Sequence, residues 1–93
     1  MSLTNTDKQD LRHAVLYACA RRPLVGQTAG QVSVALKRLL PFEFSPVDAQ
    51  EALEFQAGLG NLTVQPDPYG SEKTYQVTSA GTLAYERDHN KTA

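Results

Sequence analysis

Near the start of the chain, Leu11, Ala14, Val15, Ala18 and Cys19 fall at i, i+3, i+4, i+7 and i+8, the spacing that lays one apolar stripe along a helix. The pattern predicts a helix over about residues 7 to 21. Thr6 stands three residues before Gln9 in a capping-box spacing, Asp7 suits the positive end of the helix dipole, and Arg21-Arg22 before Pro23 suit the negative end. Leu24-Val25-Gly26-Gln27 is a connector with room for one or two strand residues. Thr28 and Gln31 repeat the capping spacing and open a second helix, expected to run to about Leu40 before Pro41. Its stripe is Val32, Ala35, Leu36, Leu39 and Leu40, with Val34, Lys37 and Arg38 on the other side.

Ser45-Pro46 gives an N-cap and a first-turn proline for a third helix over about Pro46 to Ala57, with Asp48 in its first turn. At 100° per residue Ala49, Ala52, Leu53, Gln56 and Ala57 share the inner face, while Val47, Glu51, Glu54 and Phe55 lie opposite. Gly58 and Gly60-Asn61 supply a C-cap and a turn. Leu62 to Gln65 and Thr74 to Val77 then alternate apolar and polar around a stretch dense in turn formers, Pro66 to Glu72. They read as a hairpin with Leu62, Val64, Tyr75 and Val77 toward the helices and Thr63, Gln65, Thr74 and Gln76 toward water. Thr78 caps a last short helix with Leu83 and Ala84, expected to fade into a polar tail from Asp88 to Ala93.

At 93 residues the chain has room for one hydrophobic core, so we expect a single domain over 1–93 with its core over about 6–87. The 41% of hydrophobic residues argues for a folded chain rather than a disordered one. A single cysteine rules out an internal disulfide, and with only His13 and His89 beside it no zinc-ligand spacing can be assembled. Cys19 lies on the first stripe and reads as a small buried apolar residue. No nucleophile elbow, phosphate-binding loop or catalytic carboxylate pair occurs, so no catalytic residue, cofactor or metal site is assigned. No signal-peptide run or membrane-length apolar run is found, which makes the cytoplasm the expected location and leaves no membrane partner.

Two stretches carry a family resemblance. Leu53-Glu54-Phe55-Gln56-Ala57-Gly58-Leu59-Gly60-Asn61-Leu62-Thr63-Val64 resembles the passage from recognition helix into first wing strand of winged helix-turn-helix proteins. Tyr75-Gln76-Val77-Thr78-Ser79-Ala80-Gly81-Thr82-Leu83 resembles the second wing strand and the Thr-x-x-Gly start of the following helix in small bacterial regulators of that family. The resemblance implies a mainly α fold with a small β-hairpin (α+β): a three-helix bundle, a two-stranded wing and a short C-terminal helix. It also implies a regulatory or accessory protein of bacterial or phage type. In the family the third helix commonly enters the DNA major groove and the wing touches the adjacent backbone or minor groove.

The charges change that picture. Nine Lys and Arg against ten Asp and Glu give a net charge of −1, so attraction to nucleic acid has to be local. The outer side of the third helix offers Asp48, Gln50, Glu51, Glu54 and Phe55, and no Lys or Arg occurs between Arg38 and Lys73. A carboxylate about 4 Å from a phosphate is repelled by about 1 kcal/mol even in water. DNA contact is therefore expected to be weak or atypical, with Arg21, Arg22, Lys37, Arg38, Gln50 and Lys73 as the candidate residues. The same cations also serve as complements to helix C-termini, which is the commoner use. Tyr17, Phe55 and the loop residue Tyr69 are candidates for a protein interface or homodimer contact. One of Phe42 and Phe44 is expected in the core, because two residues apart in an extended segment they face opposite ways.

Overall fold

Local start signals set three of the helices. A computed structural model describes residues 3–66 and 72–92, with side chains up to residue 87. Helix α1 spans Asn5–Ala20, α2 spans Ala29–Leu36 and α3 spans Pro46–Gly58, each opened by a reciprocal capping box. For α2 and α3 the caps are the expected ones, Thr28 with Gln31 and Ser45 with Asp48. For α1 the box is Thr4 with Asp7 instead of Thr6 with Gln9, which starts the helix two residues earlier than expected. The two pairs have the same spacing, but the Asp7 carboxylate also sits in the positive field of the first turn, where charge is favoured. The earlier start brings Leu3 onto the edge of the core.

Strands β1 (Gln27–Thr28), β2 (Leu62–Pro66) and β3 (Lys73–Val77) form an antiparallel sheet in the order β1-β3-β2. The expected hairpin is β2-β3, with Leu62 opposite Val77 and Val64 opposite Tyr75. The connector adds a third strand, pairing Gln27 with Tyr75 and Thr28 with Thr74. Leu62, Tyr75 and Val77 are buried and Val64 is half-buried, as the alternation requires.

The core gathers Leu11, Val15, Leu16, Cys19, Val32, Leu36, Leu53, Leu62 and Tyr75 around α1, which packs against α2, α3, β3 and the final helix α4 (Ser79–Thr92). That central position explains Leu16, off the predicted stripe yet 2% exposed: a helix flanked on several sides buries more than one narrow face. Burial pushes the Cys19 thiol up to about 11, so it stays protonated and packs as an apolar group.

Three expectations are corrected here. The second helix ends at Leu36, not Leu40; a turn follows in which the Leu39 N–H donates to the Leu36 carbonyl at 2.9 Å. This tighter turn breaks the 100° spacing, so Leu39 swings out of the stripe and is 57% exposed. Phe42 and Phe44 do not divide between core and solvent: both pack against the core, with ring centroids 6.3 Å apart in an edge arrangement. The chain bends at Pro41 and Phe42, so the opposite-face rule for extended backbone does not apply. The last helix does not fade at Asp88 but continues to Thr92.

The Thr-x-x-Gly stretch has a direct physical role. The Thr78 N–H donates to the Asn61 carbonyl at 3.0 Å, and its hydroxyl donates to the Gly60 carbonyl at 2.7 Å while accepting from the Gly81 N–H at 3.0 Å. A Cβ on Gly81 would collide with the Asn61 carbonyl and the Val77 side chain. Gly60 itself takes φ +84, the left-handed turn that only glycine adopts without strain. Asn61 then donates from Nδ2 to Oε1 of the buried Gln56 at 2.7 Å, and Gln56 Nε2 donates to the Arg12 carbonyl at 2.9 Å. The end of α3, the start of β2, the start of α4 and the middle of α1 are thereby tied together, which fixes how α3 is presented.

Candidate functional site

The outer face of α3 and the adjoining sheet form one candidate surface. Pro46, Val47 and Gln50 of α3 line a groove of about 420 Å³ with Ala29 and Gly30 of α2 and with Glu72, Lys73 and Tyr75 beside the wing. Gln50 is exposed and Val47 is 64% exposed, so both can meet a partner. One turn along α3, the Tyr75 hydroxyl donates to Glu54 Oε1 at 2.8 Å, and Lys73 Nζ lies 3.8 Å from the same oxygen. Burial, then the Glu54 hydrogen bond and charge, push the Tyr75 phenol up to about 12. Lys73 thus stands beside a carboxylate; an exposed pair of this kind adds at most about 1 kcal/mol to stability but lowers the positive potential offered to a phosphate.

Farther along α3 the Arg12 guanidinium lies 3.9 Å from the centroid of the Phe55 ring, which is 41% exposed. The cation from α1 covers part of the aromatic that the sequence marks as a contact residue. The α3 face therefore combines carboxylates, a capped aromatic and a paired lysine.

A second surface lies between the end of α1 and α2. Tyr17, Arg21, Arg22, Val25, Val34 and Leu39 line a groove of about 390 Å³. Tyr17 is half-buried, its ring tilted against Tyr85 of α4 at 5.5 Å, and the Arg21 guanidinium stands 5.6 Å from the Tyr17 centroid. Beneath the rim, Gln27 Nε2 donates to the Ala18 carbonyl at 3.0 Å, joining β1 to α1.

The structure distributes the expected DNA-contact residues over separate places. Arg21 and Arg22 share the α1/α2 groove, Gln50 and Lys73 share the α3/wing groove, and Lys37 lines a third depression with Phe42, Glu43 and Phe44. Arg38 is exposed on the turn after α2. Of the expected protein-contact residues, Tyr17 is packed on Tyr85, Phe55 lies under Arg12, and Tyr69 is outside the described residues. The clustering of Val25, Val34 and Leu39 is absent from the sequence reading; only the off-stripe position of Val34 hints at it. Among the described residues no group of three or more His, Cys, Asp or Glu side chains converges as a metal site would need, and no helix is long and apolar enough to cross a membrane.

No family model and no curated protein sequence matches the chain. Among solved structures, a MepR mutant from a multidrug-resistant S. aureus clinical isolate matches with a TM-score of 0.61 at 15% identity, over 97% of this chain. This chain spans 60% of the length of that one. The likeness, together with the four helices and the three-stranded antiparallel sheet of the described residues, establishes the winged-helix type of fold.

Proposed function

We propose that the chain is a winged-helix regulatory domain that meets duplex DNA weakly, through the start of α3 and the wing edge instead of deep insertion of α3. The reading is carried by the groove that sets Val47 and Gln50 of α3 beside Lys73 at the wing, the position from which a winged helix reaches DNA. Its support from likeness is coarse: the structural neighbour is a winged-helix transcription regulator. The weak mode follows from electrostatics. Glu51 and Glu54 face outward on α3, and Lys73 lies against Glu54, so few cations are left to displace counterions from phosphates.

Fluorescence anisotropy with mixed-sequence duplex DNA tests this reading. Binding at about 50 mM salt that declines as salt rises, with the shallow slope of few phosphate contacts, and that weakens when Lys73 is replaced by Glu, supports it. No binding at about 50 mM salt overturns it. A second reading, a winged helix used for protein contact, is favoured by the exposed Val25, Val34 and Leu39 that meet in one groove.

A further inference from the structure

Val25 follows α1, Val34 lies on the outer side of α2, and Leu39 belongs to the turn after it, yet the three line one groove. They are 48%, 69% and 57% exposed, and isolated exposed apolar residues are ordinary where a converging set is not. Arg21 and Arg22 stand on the same groove, and no carboxylate is among its described lining residues, although acids outnumber bases in the chain as a whole. Arg21 is steadied beside the Tyr17 ring, so part of its ordering cost is already met before any ligand arrives.

We infer that this groove docks an acidic amphipathic helix from a partner protein. The inference rests on the protein-contact reading and is independent of DNA binding. A groove of about 390 Å³ is too small for a whole helix, but it receives a few aliphatic anchors from one helical face, the i, i+3, i+4 and i+7 pattern of helix-in-groove recognition. Carboxylates beside those anchors then meet the two guanidiniums, whose planar forks match carboxylate geometry. Duplex DNA satisfies the arginines but leaves Val25, Val34 and Leu39 against a hydrophilic sugar-phosphate surface, so their burial contributes nothing. A second copy of this chain is a poorer occupant: its Glu54 is engaged by Tyr75 and Lys73, and its Phe55 lies under Arg12.

The probe is a fluorescently labelled synthetic helical peptide with leucines at i, i+3, i+4 and i+7 and glutamates flanking them, compared with the same peptide carrying lysines in place of the glutamates. We expect the acidic peptide to bind at least about tenfold more tightly, a difference of about 1.4 kcal/mol. Amide shift changes should centre on Gln31, Val34 and Leu39. The double variant Arg21→Glu with Arg22→Glu should reverse the preference. Val34→Asp should abolish binding while leaving the melting temperature nearly unchanged, since the side chain is already exposed. Equal binding of the two peptides, or no effect of Val34→Asp, overturns the inference. So does self-association in light scattering that Val34→Asp dissolves, which would assign the groove to a second copy. Displacement of the acidic peptide by duplex DNA in a manner lost on Arg21→Glu would assign it to nucleic acid and overturn the inference equally. Failure of the DNA titration with retention of peptide binding would leave the groove standing and remove the DNA reading alone.

Discussion

The α3/wing face and the α1/α2 groove both present apolar and charged side chains to solvent, but they are built in opposite ways. On α3 one carboxylate and the aromatic are answered within the chain: Glu54 by Tyr75 and Lys73, and the Phe55 ring by Arg12. In the groove Arg21 and Arg22 meet no carboxylate among the described lining residues, and Val25, Val34 and Leu39 stand exposed. The α3/wing face is thus the more self-satisfied of the two. Proximity to a partner is a matter of fold; capacity to bind it depends on which groups are left with unmet electrostatic or apolar demand.

The largest expected difference between the regions is in stability. Tyr75 is 1% exposed, sits at the centre of the sheet and hydrogen-bonds α3, so Tyr75→Ala should cost about 3–5 kcal/mol, as large aromatic deletions do. Val34→Asp in the groove should change stability by no more than about 0.5 kcal/mol. Urea denaturation of the two variants checks this pair, and comparable losses would break the contrast between a knit face and an open groove. Gly81→Ala should cost about 1–3 kcal/mol by pushing the start of α4 off the Asn61 carbonyl, and would show whether the presentation of α3 depends on that weld.

Smaller effects sharpen the electrostatic side. Replacing both Glu51 and Glu54 by Gln should raise DNA affinity by about thirtyfold at low salt, because two repulsions of about 1 kcal/mol are removed and Lys73 is released. No change would mean that α3 does not approach the phosphates. The Tyr75 phenol supplies a pH readout of the same contact. Its folded value of about 12 exceeds the ordinary value near 10, so between these limits the folded state holds a proton that the unfolded chain has lost. Its stabilising contribution is therefore complete below about pH 10 and is lost as pH rises toward about 12. Glu54→Gln should move the tyrosinate absorbance transition downward without restoring the ordinary value, since burial is the larger cause. Tyr75→Phe identifies the transition by removing it.

Several elements were legible from local rules. Ser45-Pro46 with Asp48 marks the start of α3 unambiguously, because the cap, the proline and the acid all act within one turn. The alternation in Leu62–Val64 and Tyr75–Val77 orients the hairpin, since a one-residue slip would expose the entire apolar set. The acidic outer side of α3 followed from the same angular spacing as its buried side. Leu39 and the Phe42-Phe44 pair were not legible, because each depends on a turn whose hydrogen bonds are chosen by packing and not by the residues it contains.

The same division holds for the molecule as a whole. Its amino-acid sequence alone determined the starts of α2 and α3, the orientation of the hairpin, the sign of the α3 surface and the absence of a disulfide framework, because these depend on neighbours within a turn or on composition. Tertiary structure alone decided that Lys73 turns to Glu54, that Arg12 covers Phe55 and that Val25, Val34 and Leu39 converge beside two arginines. Such contacts join residues far apart in the chain, and no periodicity within a single element encodes the angle at which two elements meet.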